Sequence, residues 1–204
     1  MKAIRKVAAR PGALEWADVS VPPCGPDEVL VRVRAASLCG TDAHIYQWDP
    51  SVGAKILAAT DQLRRPLILG HEFCGTVVEV GREVRGVGEA AAEPIRVGDF
   101  VSAESHIVCG ACYQCRHGEY HVCMRETIIG VQRDGGFAEY IALPASCAWR
   151  NDPAVVPVEV ACVEEPFGNA VHAATEYDPR DRCVLILGAG PIGLFSVIVA
   201  AAEG

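Results

Sequence analysis

The sequence predicts an α+β chain: a mainly β part over residues 1–177, then the opening of an α/β unit over 178–204. Three observations carry this. Short apolar runs bounded by Gly, Pro and Asp recur through the first 150 residues, the pattern of a small barrel or sandwich. Cys183 to Leu187 (C-V-L-I-L) is a continuous apolar run, as expected of a strand buried on both faces. A glycine turn and a helix-compatible stretch, L-F-S-V-I-V-A-A-A, follow it directly.

The β elements come in order. Val29 to Arg34 (V-L-V-R-V-R) ends in alternating apolar and basic residues, after the turn at Pro26-Asp27. Gly75 to Gly81 reads as a short strand between glycines, Gly98-Asp99 turns into Phe100-Val101, and Gly135-Gly136 turns into F-A-E-Y-I-A-L. Ser51 to Arg65 and Arg82 to Arg96 read as surface excursions. The final strand, glycine turn and helix form the start of a dinucleotide-binding βαβ unit. Such a domain needs on the order of a hundred further residues, so the sequence is expected to be a fragment or a truncated chain.

Composition narrows the function. The chain has 204 residues, 50% hydrophobic and 22% charged, with a net charge of −8, enough for an ordinary globular core. The charges are interspersed, which argues against nucleic acid or an anionic membrane as partner. The basic N-terminus has no apolar stretch of signal-peptide length, and no run is long enough to span a bilayer. Ten cysteines without a secretory signal point to a reducing cytoplasm, where clustered thiols hold metal more often than they form disulfides.

Residues 109 to 123, C-G-A-C-Y-Q-C-R-H-G-E-Y-H-V-C, place Cys109, Cys112, Cys115 and Cys123 at a spacing suited to a closed, structural zinc site. With four protein ligands no position remains for substrate. His117 and His121 are read as bystanders within the loop. A reactive metal needs about three protein ligands and an open position. Cys39, His71 and Glu72 offer a thiolate, an imidazole and a carboxylate, and a metal there would acidify a substrate hydroxyl. Thr41 and His44 could pass the released proton to solvent. Glu165, just before a proline that could open a helix, is either a first-turn carboxylate or one that faces the metal. Glu164 and His172 carry less functional weight. Gly188, Gly190 and Gly193 would let a pyrophosphate approach a helix N-terminus. The residue that separates NAD from NADP falls about 20 residues further on, past Gly204.

The chain resembles the zinc-dependent medium-chain alcohol dehydrogenases, which join a GroES-like barrel to a Rossmann domain. The resemblance rests on C-G-T-D-A-H-I-Y-Q-W-D at Cys39 to Asp49, G-H-E-F-C-G-T-V-V-E-V-G at Gly70 to Gly81, and E-P-F-G-N-A-V-H at Glu165 to His172. It implies a GroES-like domain over 1–177 and an incomplete Rossmann domain over 178–204. It implies two zinc ions per chain: a catalytic one at Cys39, His71 and Glu72, and a structural one at the four cysteines. Thr41, His44 and Glu165 become the proton relay, Ile192 an NAD contact beside the three glycines, and His106 a substrate-recognition residue. The implied reaction is oxidation of L-threonine to 2-amino-3-oxobutanoate with NAD, in a cytoplasmic homotetramer. A polyol or other secondary-alcohol dehydrogenase, and a non-catalytic zinc-binding module, stand as alternatives.

Overall fold

The computed structural model describes residues 1–51, 53–54, 65–84 and 94–204. Most of the two expected excursions therefore lies outside the described residues.

Among the described residues the strands form three antiparallel sheets. In the first, β1 (Lys2–Lys6) lies between β2 (Leu14–Asp18) and β4 (Leu67–Ile68). The second joins β3 (Glu28–Ser37), β5 (Glu72–Val80), β6 (Phe100–Ala103), β9 (Tyr140–Pro144) and β10 (Ala148–Asn151) in the order β10-β6-β5-β3-β9. A short ribbon pairs β7 (His106–Ile107) with β8 (Thr127–Ile128). The expected strands are present, but the sheets stay open and no barrel closes among the described residues. The first two sheets are linked where Ala3 bridges Ala138 and the Ile4 N–H donates to Phe137 O at 2.8 Å.

The pattern of β3 explains its place. Val29, Leu30 and Val31 are all buried in the middle of the large sheet, whereas the following arginines alternate outward. Val29, Val31, Phe73, Val77, Val101 and Leu143 make the main core. Truncating Phe73, which is 2% exposed, would cost about 3–5 kcal/mol. The β3–β5 register is interrupted by irregularities at Leu30/Val31 and Val33/Ala35, and it ends by pairing Ser37 with Glu72.

Helix α1 (Gly40–Gln47) leaves this sheet at once, with Cys39 as its N-cap. Asp42 Oδ2 accepts the Cys39 N–H at 3.0 Å, which satisfies one of the helix's orphan amides. The helix stops where Trp48 turns left-handed at φ 54°. Its far end is held by Lys6. This lysine is fully buried, donates to Arg10 O at 2.8 Å and Gly12 O at 2.7 Å, and lies 5.4 Å from the Trp48 ring centroid. Helices α2 (Tyr113–Arg116), α3 (Val158–Ala161), α4 (Glu164–Thr175) and α5 (Pro191–Glu203) follow along the chain. The Phe167 and Phe195 rings pack α4 on α5 edge to face, 5.6 Å between centroids.

One expectation is corrected. Cys183 to Leu187 makes no strand: the run is unpaired, and Val184, Leu185 and Leu187 are exposed. An apolar strand of a parallel sheet needs neighbours on both edges and cover on both faces, and none of the described strands pairs with it.

The turn before β5 depends on backbone packing against backbone. Gly70 sits at φ +90°, and a Cβ at Gly135 would come within 2.1 Å of Gly70 O. Neither partner is a flexible side chain. Gly135→Ala is therefore expected to lower stability by about 1–3 kcal/mol in urea denaturation and to displace the neighbouring His71. A neutral effect would show that Gly70 does not hold this turn.

Candidate metal centres and their surroundings

The β3–β5 register builds the first cluster. Because Ser37 pairs with Glu72, Cys39 emerges two residues later beside His71 and Glu72. Their ligand atoms lie within 4.8 Å of one another, with His71 and Glu72 buried. The Ser37 hydroxyl donates to Glu72 Oε2 and lies 3.3 Å from Cys162 O, so it ties the carboxylate to the segment that leads into α4. Two buried polar atoms lack a partner here, His71 Nδ1 and Asp42 Oδ1. Burial pushes the Asp42 carboxyl up, against the opposing His71 charge. For His71, desolvation favours the neutral ring, but Cys39, Asp42 and Glu165 outweigh it and raise its pKa to about 9. A thiol, an imidazole and a carboxylate converging on one buried corner are a donor set that suits a zinc ion with one position left open.

The second cluster is local. The sulfurs of Cys109, Cys112, Cys115 and Cys123 all lie within 4.8 Å of one another. Separations of 3.4 Å (Cys112 to Cys115), 3.9 Å (Cys112 to Cys123) and 4.0 Å (Cys109 to Cys115) are far too long for disulfides. They bracket the edge of about 3.8 Å expected for a tetrahedron with zinc–sulfur bonds of about 2.3 Å. Backbone amides already point at the sulfurs: Cys112 N–H to Cys109 Sγ at 3.3 Å and Cys115 N–H to Cys112 Sγ at 3.5 Å. The amides of Ala111 and Cys112 hold the Cys109 thiol down at about 6. Burial and its hydrogen-bonded neighbours push Cys115 up to about 12. His117 turns away, stacked 4.0 Å over Tyr113, and His121 tilts against exposed His172 on α4, 4.8 Å between centroids.

Glu165 and His106 come together from distant parts of the chain. With Glu104 they form a third group whose ligand atoms lie within 4.8 Å. Ser105 Oγ–H donates to Glu165 Oε1 at 2.7 Å, and burial raises the Glu165 pKa despite that bond. Glu164, one residue earlier, is occupied structurally: Ser102 Oγ and Asn151 Nδ2 donate to its carboxylate, the latter at 3.0 Å. Thr41 Oγ1 lies 3.7 Å from Cys39 Sγ. His44 is 47% exposed and its Nδ1 pairs with Asp49 Oδ2 at 2.7 Å, not with Thr41. The glycine turn stands apart at the start of α5, where Gly188 has φ +107° and a Cβ at Gly193 would meet Gly188 O at 2.1 Å. Gly190 is the N-cap, Pro191 occupies the first turn, and Ile192 is 47% exposed.

Sequence reasoning missed Ser37, Asp42, Asp49, Glu104 and Ser105. Asp42 alone left a readable signal, since an acidic residue three positions after a helix cap forms a capping box. The others are set by pairing across the fold.

The alcohol dehydrogenase GroES-like domain matches residues 25–153. An L-threonine 3-dehydrogenase of Symbiobacterium thermophilum is 49% identical over 204 residues, which is 100% of this chain and 53% of that protein. The chain thus spans about half the length of the curated relatives it matches. Among solved structures, a zinc-binding dehydrogenase from Sinorhizobium meliloti 1021 bound to NADP superposes with a TM-score of 0.81 at 34% identity, covering 100% of this chain and 53% of that one. Galactitol-1-phosphate dehydrogenase from Escherichia coli does so with a TM-score of 0.79 at 30% identity, covering 100% and 53%. No helix among the described residues is long and apolar enough to cross a membrane.

The two cysteine-containing clusters generate a linked prediction. Zinc binds thiolate, so adding zinc to the metal-free chain at pH 7 should release protons, and affinity should fall as pH falls. Calorimetry in buffers of different ionisation heat measures this. Cys112→Ser should lower zinc content by about one ion per chain. Uptake without proton release would contradict a thiolate site.

Proposed function

From the premise that this chain belongs to the family of the alcohol dehydrogenase GroES-like domain, we propose that the protein is a zinc-dependent oxidoreductase of secondary alcohols. Its substrate is L-threonine, oxidised to 2-amino-3-oxobutanoate with NAD as hydride acceptor. The observation that carries the reading is the convergence of Cys39, His71 and Glu72 in one buried corner, with Glu165 near enough to act on His71.

In this reading Cys39, His71 and Glu72 would hold a zinc ion, and Cys109, Cys112, Cys115 and Cys123 a second, structural one. The zinc at the first site would supply Lewis acidity that makes a substrate hydroxyl acidic near neutral pH. The chain's own residues then handle the proton. Thr41 takes it beside Cys39, and His44, one turn on along α1, passes it to solvent. Asp49 takes the His44 Nδ1–H and so orients the ring. Glu165, half-buried and hydrogen-bonded to Ser105, is a second proton acceptor facing the site. A bound nicotinamide would supply the acceptor for the hydride from the substrate Cβ–H. Residues 1–177 form the metal-binding domain, and 178–204 open a Rossmann domain in which Gly188, Gly190, Ile192 and Gly193 would hold the dinucleotide. The exposed apolar side chains Val184, Leu185 and Leu187 support that assignment, because such a run needs cover. We place the protein in the cytoplasm as a homotetramer that binds a small-molecule substrate and neither nucleic acid nor membrane.

In the intact protein, L-threonine should exceed sorbitol in kcat/KM with NAD by roughly 10²-fold or more, because polar groups built for an amino acid go unpaired with a polyol. A preference for sorbitol would move the function to polyol oxidation. His44→Ala should keep its metal content yet slow turnover by about 10²- to 10⁴-fold, with Glu165→Gln resembling it. Cys39→Ala should lose one metal ion together with nearly all activity. Zinc analysis and single-turnover rates separate the two classes, and full activity in His44→Ala would remove the relay.

A further inference from the structure

The fully buried Lys6 has no part in the metal clusters, and neither does the I-Y-Q-W-D stretch, Ile45 to Asp49, at the end of α1. The fold brings the two together. Lys6 closes β1, and its Nζ reaches into the loop that leads to β2, donating to Arg10 O at 2.8 Å and Gly12 O at 2.7 Å. The ammonium lies 5.4 Å from the Trp48 ring centroid, within cation–π range. The same loop is pinned to the helix, since the Gly12 N–H donates to Tyr46 O at 2.8 Å. Ala13 and Trp48, beside these contacts, hold left-handed backbone at φ 49° and 54°. That conformation costs a non-glycine residue of order 1–3 kcal/mol and persists only where its surroundings enforce it. For Trp48 the enforcing contacts are Lys6 and the core of Ile45, Leu67, Leu69 and Val131.

A left-handed residue at the end of a helix turns the chain back on itself, so Trp48 decides where Asp49 points. The Asp49 N–H bonds His44 O at 3.4 Å, and its carboxylate folds back onto the same residue, with Oδ2 2.7 Å from His44 Nδ1. Its other oxygen accepts the Ser51 N–H at 3.0 Å and the Ser51 hydroxyl at 2.6 Å. An ionised carboxylate has only lone pairs to offer, so Nδ1 carries the proton and Nε2 of the neutral ring is left as an acceptor. We propose that Lys6 is a positioning residue for the proton relay: by fixing the turn at Trp48 it sets Asp49 against His44 and presents Nε2 as the base. The proposal rests on the reading of His44 as a relay residue, and it deepens that reading by naming what orients the ring. Lys6 acts only through Trp48 and Asp49, and its effect on turnover is exerted wholly at His44.

The test is Lys6→Met in the intact protein, which keeps an unbranched apolar stem and removes the ammonium. Zinc content should be unchanged. KM for L-threonine should move by less than about twofold while kcat falls roughly 10- to 100-fold, because the base is misplaced and not deleted. The deciding measurement is the same substitution in a His44→Ala background. A residue that acts through His44 has nothing left to position there, so Lys6→Met should cause no further loss of kcat. Equal losses in both backgrounds would mark a general structural effect and overturn the proposal, as would wild-type turnover in Lys6→Met. Trp48→Leu, which keeps apolar cover over Ile45 and Leu69 but removes the ring that Lys6 faces, carries the same comparison if Lys6→Met does not fold. Full activity in His44→Ala sinks the relay reading and the role of Lys6 with it. A slow His44→Ala protein in which Lys6→Met still adds its whole loss sinks the role of Lys6 alone.

Discussion

The antiparallel pairing of β3 with β5 is the constraint on which the candidate site depends. Its last pair, Ser37 with Glu72, places a thiol from one strand end against an imidazole and a carboxylate from the other. A slip of one residue would turn Glu72 to the opposite face and dissolve the cluster. Register is therefore defended on several sides. Val29, Val31 and Val77 bury one face, the Ser37 hydroxyl bonds Glu72, and the tight contact between Gly70 and Gly135 fixes the approach to His71.

The two cysteine-containing clusters differ in kind. The four-cysteine group lies within fifteen consecutive residues, held by a short helix, turns and amide-to-sulfur bonds. It needs almost nothing from the remainder of the fold, and in return metal there would close a loop with little secondary structure. The Cys39, His71 and Glu72 group is non-local, spanning 33 residues between its first and last members. It exists only once the large sheet has formed. A site that must leave a ligand position open cannot rely on the metal alone for its geometry, so the sheet and α1 supply the rigidity.

Electrostatics tie the non-local group to α4. Glu165 is carried in by a helix whose preceding turn, α3 with Cys162, packs on β5, where Cys74 Sγ lies 3.3 Å from Val158 O. Once there, the carboxylate is half-buried, bonded by Ser105 and felt by His71 and His106. Burial weakens solvent screening, so each of these groups sets the protonation of the next. Glu164 next to it serves the fold instead, satisfying Ser102 and Asn151 in the interior.

The sequence by itself determined the elements whose cause is local. Cys109, Cys112, Cys115 and Cys123 announce their convergence through spacing, the Val29 to Arg34 alternation announces a strand, and Gly188 to Gly193 announces a turn into a helix. The Cys39, His71 and Glu72 set was legible as chemistry but not as geometry, because no local rule says which strands pair. Tertiary structure decided that, among the described residues, the sheets stay open and Cys183 to Leu187 lies unpaired without neighbouring strands, and that His44 turns to Asp49. It also decided that Glu104, Ser105, His106 and Glu165, some 60 residues apart, form one hydrogen-bonded group. Hydrogen bonds of that kind depend on separations of about 3 Å, and only the folded chain sets distances on that scale.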